Sequence, residues 1–435
     1  MTMPAASEPT EPTAPARAPD PFDVDAVIVG AGFAGLAVAA ELHRAQVSFV
    51  LLDARDRIGG KAEARLDGRG RMVDTGAQFA NDDMTEVLAL AAAAGAERVE
   101  AVPAGQPTIV PLGIEGNPWA DATALLATLG PEHLHDRRTV TQWLGGIDAP
   151  PVLRDAVRSA VNGGTCLDSH RIPVSYLAQL NERTPREHDE MQLWFAQTMH
   201  SLAQHLAAPF PERIRLGCPA RAVHLHDESV DVVSVDQVWH ARHVVVATPP
   251  SAYASIRFTP DLPEDIAAAA QAFQPGTVFK YLIGYEQAFW LGDDHHGAGR
   301  FLTPPGLYIG DVSGAGHATL VAFVGGTTAT EWARHSEADR HAAILHHASV
   351  AFGDRALQPL SLLERLWAPD EWGGGGYSNV LAAHAPGACD TLAIGLPLLS
   401  FASTELAPLF PGYVEGALRA GRAAAAHLLR NLERW

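Results

Sequence analysis

The chain has 435 residues, 47% of them hydrophobic, with 50 acidic against 31 basic side chains and a formal charge of −19. That length exceeds a usual single core and predicts two domains, while the acidity excludes nucleic acid and anionic membranes as partners and favours neutral or cationic ones. The three cysteines, Cys166, Cys218 and Cys389, lie far apart and suggest neither a disulfide framework nor a zinc site, which fits a reducing cytoplasm.

Residues 1–22 are rich in Pro, Ala, Ser, Thr and Glu, carry no apolar signal-like core and read as a disordered tail. DAVIV (25–29) is a short apolar strand, GAGFAG (30–35) a glycine turn, LAVAAELHRA (36–45) a helix, and SFVLLD (48–53) a second buried strand. This is a βαβ unit with a parallel, right-handed crossover. From 83 to about 203 the pattern turns largely helical, with EVLALAAAAGA, ATALLATLG and EMQLWFAQTMHSLAQHL carrying helical periodicity. Strand-like runs return at 221–235, 243–250, 277–285 and 319–326, and the C-terminus reads as an amphipathic helix. No run reaches the roughly 18 to 20 apolar residues of a membrane span. The histidines, including the pairs at 295 and 346, show no metal-ligand spacing, so no metal is expected.

Gly30, Gly32 and Gly35 fall between a strand and a helix, where they permit a tight turn, close approach of a pyrophosphate and close helix packing. Phe33 and Ala34 lie between them, at the helix N-terminus whose amides and dipole favour phosphate. Asp53 ends the second strand at the spacing of a carboxylate that accepts ribose hydroxyls. A bare glycine motif is often an ordinary turn; strand, helix and acid together point to a dinucleotide. Among 31 basic residues only Lys61 and Lys280 are lysines, and both fall inside motifs.

After Asp53 come Ala54 and Arg55, then RIGGK (57–61, with Gly59, Gly60 and Lys61) and VDTGAQF (73–79, with Gly76, Ala77, Gln78 and Phe79). These runs, with GCPARAV (217–223), GTVFKYLIGYEQAFW (276–290), WGGGGYSNV (372–380) and the closing segment 399–425, resemble the flavin-containing amine oxidase superfamily across nearly the whole chain. The resemblance implies an α/β, two-domain FAD-linked fold, a Rossmann-like FAD domain interleaved with a mixed-sheet plus helical substrate domain. Its expected boundaries are 23–82, 204–264 and 372–435 for FAD, and 83–203 and 265–371 for substrate.

The resemblance also implies roles. Ala220 borders adenine; Ser403, Thr404 and Val414 present backbone groups to pyrophosphate and flavin; Lys61 stands where the family has arginine, keeping charge but losing the fork. Lys280 is the lysine that assists reaction with oxygen, and Tyr377 and Tyr413 are the aromatic pair that flanks the amine. Glu63 is a candidate base or ammonium anchor. Gly376 replaces the cysteine that bonds flavin in some relatives, so FAD is expected to be non-covalent. Phe79 stands where amino acid oxidases often carry an arginine, which disfavours α-amino acids. The implied reaction moves a hydride equivalent from the carbon beside an amine or amide nitrogen to flavin, with O2 giving H2O2. Tailoring of natural products, similar to lankacidin-type amide oxidases, is one expected setting. A carotenoid-desaturase or protoporphyrinogen-oxidase type of chemistry on C–C bonds is the alternative. The amine, the fate of the imine, any catalytic base and the oligomeric state, a homodimer included, stay open.

Overall fold

The computed structural model describes residues 22–101, 107–235, 237–291, 297–314, 316–382 and 385–433; the expected tail, up to residue 21, and the histidine pair at 295 lie outside the described residues. Val24–Val29 and Phe49–Leu52 form parallel neighbours (Val27 beside Val50), joined through helix Phe33–Arg44. Apart from Asp25 both strands are apolar, and Ala26–Val29 and Phe49–Leu52 are buried throughout because both faces are covered, as central parallel strands require. Val238–Val246 pairs on the other side of Val24–Val29, and Ala222–Leu225, Val230–Val233, Arg257–Thr259, Ile214–Arg215 and Leu399–Phe401 complete an eight-stranded sheet. The long C-terminal helix Val414–Leu432 lies against helix Phe33–Arg44; a Cβ on Gly421 would stand 2.2 Å from the Ala34 carbonyl oxygen, so the helices meet backbone to backbone.

A second, six-stranded sheet has the order Ser361–Trp367, Val278–Tyr285, Ala318–Gly325, Leu307–Asp311, Ala298–Phe301, Thr108–Val110. In Val278–Tyr285 the side chains alternate between faces. Phe279, Tyr281, Ile283 and Tyr285 enter a core with Ile344, Ala348, Ala351 and Phe352 of helix Glu337–Phe352, which sends Lys280 and Leu282 to the opposite face. That opposite face carries the chemistry described below.

The segment 83–203 holds helices Thr85–Ala94, Pro118–Ala127, Pro151–Thr165, Val174–Arg183 and Met199–Ala207. Contrary to the periodicity of EMQLWFAQTMHSLAQHL, its first half is not helical: Leu193–Phe195 is a strand paired with Arg98–Glu100, and the helix begins only at Met199. Trp194 and Phe195 suit a strand, and the Thr198 hydroxyl accepts from Ser201 N while Asp74 accepts from Met199 N at 2.8 Å, fixing the helix start. A short apolar run cannot be assigned by periodicity alone. No helix among the described residues is long and apolar enough to cross a membrane.

Candidate active site

The glycine turn is shaped for close approach. Gly30 has φ +106°, and a Cβ on Gly35 would lie 1.8 Å from the Gly30 carbonyl oxygen, so neither position accepts a side chain. Gly32 is different: its added Cβ would meet only the Gly60 Cα, at 3.8 Å. The second glycine pair packs directly on the first turn, with Gly59 N donating to Ala31 O at 2.8 Å. Together they form a side-chain-free cradle at the N-terminus of helix Phe33–Arg44.

Asp53 is buried at the end of its strand. Its carboxylate accepts Ala31 N at 2.7 Å and Arg55 N at 2.8 Å, and burial pushes its pKa up against those amides. Asp53, Ala54, Arg55, Ala220 and Thr248 line one cleft of about 420 Å³. Thr248 Oγ1 is buried without a hydrogen-bond partner, whereas the Ser403 hydroxyl faces that of Tyr253. A buried hydroxyl is rarely left unmatched, and a nucleotide phosphate or ribose held between this cleft and the glycine cradle would supply the partner that Thr248 lacks. The residues therefore fit FAD. The Arg55 guanidinium itself bonds Asp370 and the Trp372 carbonyl. Thr404 Oγ1 donates to Tyr413 O and accepts Gly412 N, fixing the turn that starts helix Val414–Leu432. Lys61 donates to Tyr377 O at 3.2 Å, tying the RIGGK turn to the aromatic segment, and burial lowers its ammonium pKa.

Across the second sheet the register places one row of side chains on a single face: Arg365 beside Lys280, Lys280 beside Phe323, Phe323 beside Tyr308, Tyr308 beside Arg300. Lys280 is 3% exposed; its Nζ donates to Gly76 O at 2.9 Å and Gln78 Oε1 at 2.7 Å and lies 5.6 Å from the Phe323 ring centre. Burial lowers its pKa, opposed by the charge of Asp74, whose own carboxyl burial raises. The VDTGAQF turn thus holds Lys280 through Gly76 and Gln78. A Cβ on Gly76 would fall 2.0 Å from the Lys61 carbonyl oxygen, so this turn also rests on the RIGGK turn.

Phe323 meets Tyr377 edge-on at 5.8 Å, Phe79 at 6.4 Å and stacks with Tyr308 at 6.4 Å. Tyr377 is 37% exposed, yet burial pushes its phenol well above the ordinary value, as expected for a ring on the wall of a recessed opening. Tyr413 and Glu190 both act on Tyr377 electrostatically, and Tyr413 Oη donates to Glu190 at 2.5 Å. The fold thus brings Lys280, Tyr377, Tyr413 and Phe79 to one aromatic-walled region.

Glu63 does not join them. Expected to be a substrate-side carboxylate, it is instead surrounded by Arg57 (3.0 Å), Arg65 (2.7 Å) and Arg365 (2.9 Å) and accepts Thr75 Oγ1 at 2.9 Å. Burial works to raise its pKa, but the Arg365 hydrogen bond and the neighbouring charges outweigh it and hold the carboxyl below the usual range. A carboxylate saturated by guanidinium groups is a poor proton acceptor; its work is to clamp the RIGGK turn to the strand Ser361–Trp367. Sequence reasoning missed Glu190, Tyr308 and Phe323. Only the strand alternation shared by Lys280 and Phe323 could have flagged the last, and only once the register was known.

The family of flavin-containing amine oxidoreductases matches residues 166–429, and an NAD(P)-binding Rossmann-like domain matches residues 28–94. The chain is 28% identical to putrescine oxidase of Kocuria rosea, over 93% of this chain and 95% of that one. It is 25% identical to L-amino acid dehydrogenase of Synechocystis, over 93% and 94%. Cyclohexylamine oxidase from Brevibacterium oxydans superposes with a TM-score of 0.87 at 27% identity, over 95% of this chain and all of that one.

Proposed function

Because this chain belongs to the flavin-containing amine oxidoreductases and is therefore an FAD-dependent enzyme that oxidises amines, we propose that the Lys280–Phe323–Tyr377–Tyr413 face is where the amine is oxidised. The observation that carries this is the cross-sheet row in which buried Lys280 stands beside Phe323, with the Tyr377 edge on that ring. FAD, when bound, would supply the two-electron acceptor for the hydride equivalent from the carbon beside nitrogen, with O2 as the final acceptor and H2O2 as its product. The protein's own residues do the rest. Tyr377 and Tyr413 orient the amine by their π faces, Phe79, Phe323 and Tyr308 exclude water, and Gly76 and Gln78 hold the Lys280 ammonium in place.

The cofactor is bound non-covalently in this reading, since Gly376 offers no thiol. The FAD domain is assigned to 23–82, 204–264 and 372–435, and the substrate domain to 83–203 and 265–371; membership of the two sheets supports this division. The three cysteines are free and buried, in keeping with a cytoplasmic enzyme. An α-amino acid substrate, suggested by the Synechocystis relative, has Phe79 and the Glu190 carboxylate against it, so amines without an α-carboxylate are preferred. The test is anaerobic mixing of the yellow protein with monoamines, diamines, α-amino acids and N-acyl amines. Bleaching by amines, peroxide on admitting air and release of the flavin by acid precipitation are expected. Bleaching by α-amino acids alone would overturn the reading.

A further inference from the structure

The Lys280 nitrogen is held by two neutral oxygens, Gly76 O and Gln78 Oε1, and an uncharged amine with its two N–H groups could make the same pair of bonds. Those bonds place the nitrogen; they do not decide its charge. Arg365 stands beside Lys280 in the sheet register, but its guanidinium is taken by Glu63, which Arg57 and Arg65 also hold. The charge that opposes the effect of burial on Lys280 is that of Asp74. Asp74 opens the turn that supplies both oxygens, two residues before Gly76 and four before Gln78.

The Asp74 carboxylate is itself 4% exposed. It accepts Met199 N at 2.8 Å and His200 N at 3.4 Å, at the start of helix Met199–Ala207, while the His200 ring is turned to Ala62 O at 3.0 Å. Capping does not call for a charge there. Thr198 already accepts Ser201 N, and asparagine caps a helix as well as aspartate does. A buried carboxylate is costly unless it is compensated, and the Lys280 charge works with the two amides to offset the burial of Asp74.

We propose that Asp74 is a positioning residue for the oxygen reaction: fixed against the start of helix Met199–Ala207, its carboxylate keeps Lys280 an ammonium through space. This rests on Lys280 serving the amine-oxidising face. The turn then sets both properties of the lysine, its place through Gly76 and Gln78 and its charge through Asp74. Because the chain holds only two lysines, isotope-labelled lysine gives two side-chain resonances in the flavin-loaded protein, and the one missing from K280M belongs to Lys280. Its titration is followed in wild type, D74N and D74E, and the same proteins, reduced with dithionite, are mixed with O2 across pH. Asparagine keeps an acceptor for the Met199 and His200 amides, so the helix start is retained. In D74N the Lys280 resonance is expected to titrate at a pH lower by about one or more, and reoxidation to fall away at a pH lower by the same interval. D74E is expected to restore most of both. A Lys280 resonance that titrates at the same pH in wild type and D74N overturns the role of Asp74. A resonance that moves while reoxidation keeps its wild-type pH profile overturns instead the reading of Lys280 on which this role rests.

Discussion

Lys280 is retained at a cost. An ammonium taken from water into a site that offers a carbonyl and an amide oxygen, the Phe323 ring and the charge of Asp74 still loses more solvation than these return, which is why burial lowers its pKa. A lowered pKa places loss of the cation below the ordinary lysine value of about 10.4, so any step that uses its charge weakens as pH rises through that lower value. We expect the peroxide-forming half-reaction to show this fall, and K280M to lack it while reoxidising on the order of a hundredfold more slowly, as for removal of one preorganised charge-stabilising group. Stopped-flow mixing of reduced protein with O2 across pH reads both. Reoxidation of K280M at the wild-type rate would remove Lys280 from the oxygen reaction and leave it a structural tie between the second sheet and the VDTGAQF turn.

Elements are joined here by residues that cap one another over long sequence distances. Helix Thr85–Ala94 has no side-chain cap of its own; the Glu415 carboxylate, fully buried on the C-terminal helix, accepts Glu86 N and Val87 N at 2.9 Å and is held by Arg419. E415A leaves two amides and a guanidinium without their acceptor, and should cost about 2–4 kcal/mol in a urea titration, with E415Q less damaging. An unchanged midpoint for E415A would mean that water replaces the carboxylate. The same feature sets the limit of what could be read from sequence. GAGFAG declared its strand–turn–helix because the tight turn and the contact of Gly35 with the Gly30 carbonyl are local, although the Ala247 backbone also presses on Gly30. Lys280 stood out because lysine is so scarce in this chain. Glu63 was misjudged because its decisive partner, Arg365, is 302 residues away, and the alternation that buries Glu63 says nothing of what faces it. Glu190 gave no signal because its meaning comes from Tyr413, 223 residues on. LWF was read as helix because three apolar residues cannot reveal their period; the strand Arg98–Glu100 opposite settled it.

At the scale of the whole molecule, acid stability depends on how the two faces of the first sheet are covered. His243 lies inside the Val238–Val246 strand, 1% exposed, its Nε2 2.9 Å from Ser400 Oγ and its ring 6.5 Å from that of His427 on the C-terminal helix. Burial first, and the His427 charge second, push its pKa down to about 3. The unfolded chain, with a histidine value near 6.5, therefore takes up this proton before the folded one does. Stability from this group is complete above about pH 6.5 and drains away as pH falls toward 3. By pH 5 the loss amounts to about 2 kcal/mol. The high net negative charge works the other way over the same range, since self-repulsion relaxes as carboxylates are protonated, so the histidine is visible only as a difference between variants. H243Q keeps a polar partner for Ser400 and cannot be protonated. Melting curves from pH 7.5 to 4.5 should show wild type losing stability relative to H243Q as the pH falls, so that the two converge where H243Q starts less stable. Parallel curves would mean that His243 is protonated in the folded state at pH 5, which requires water to reach it between the first sheet and the C-terminal helix that helps frame the FAD cradle.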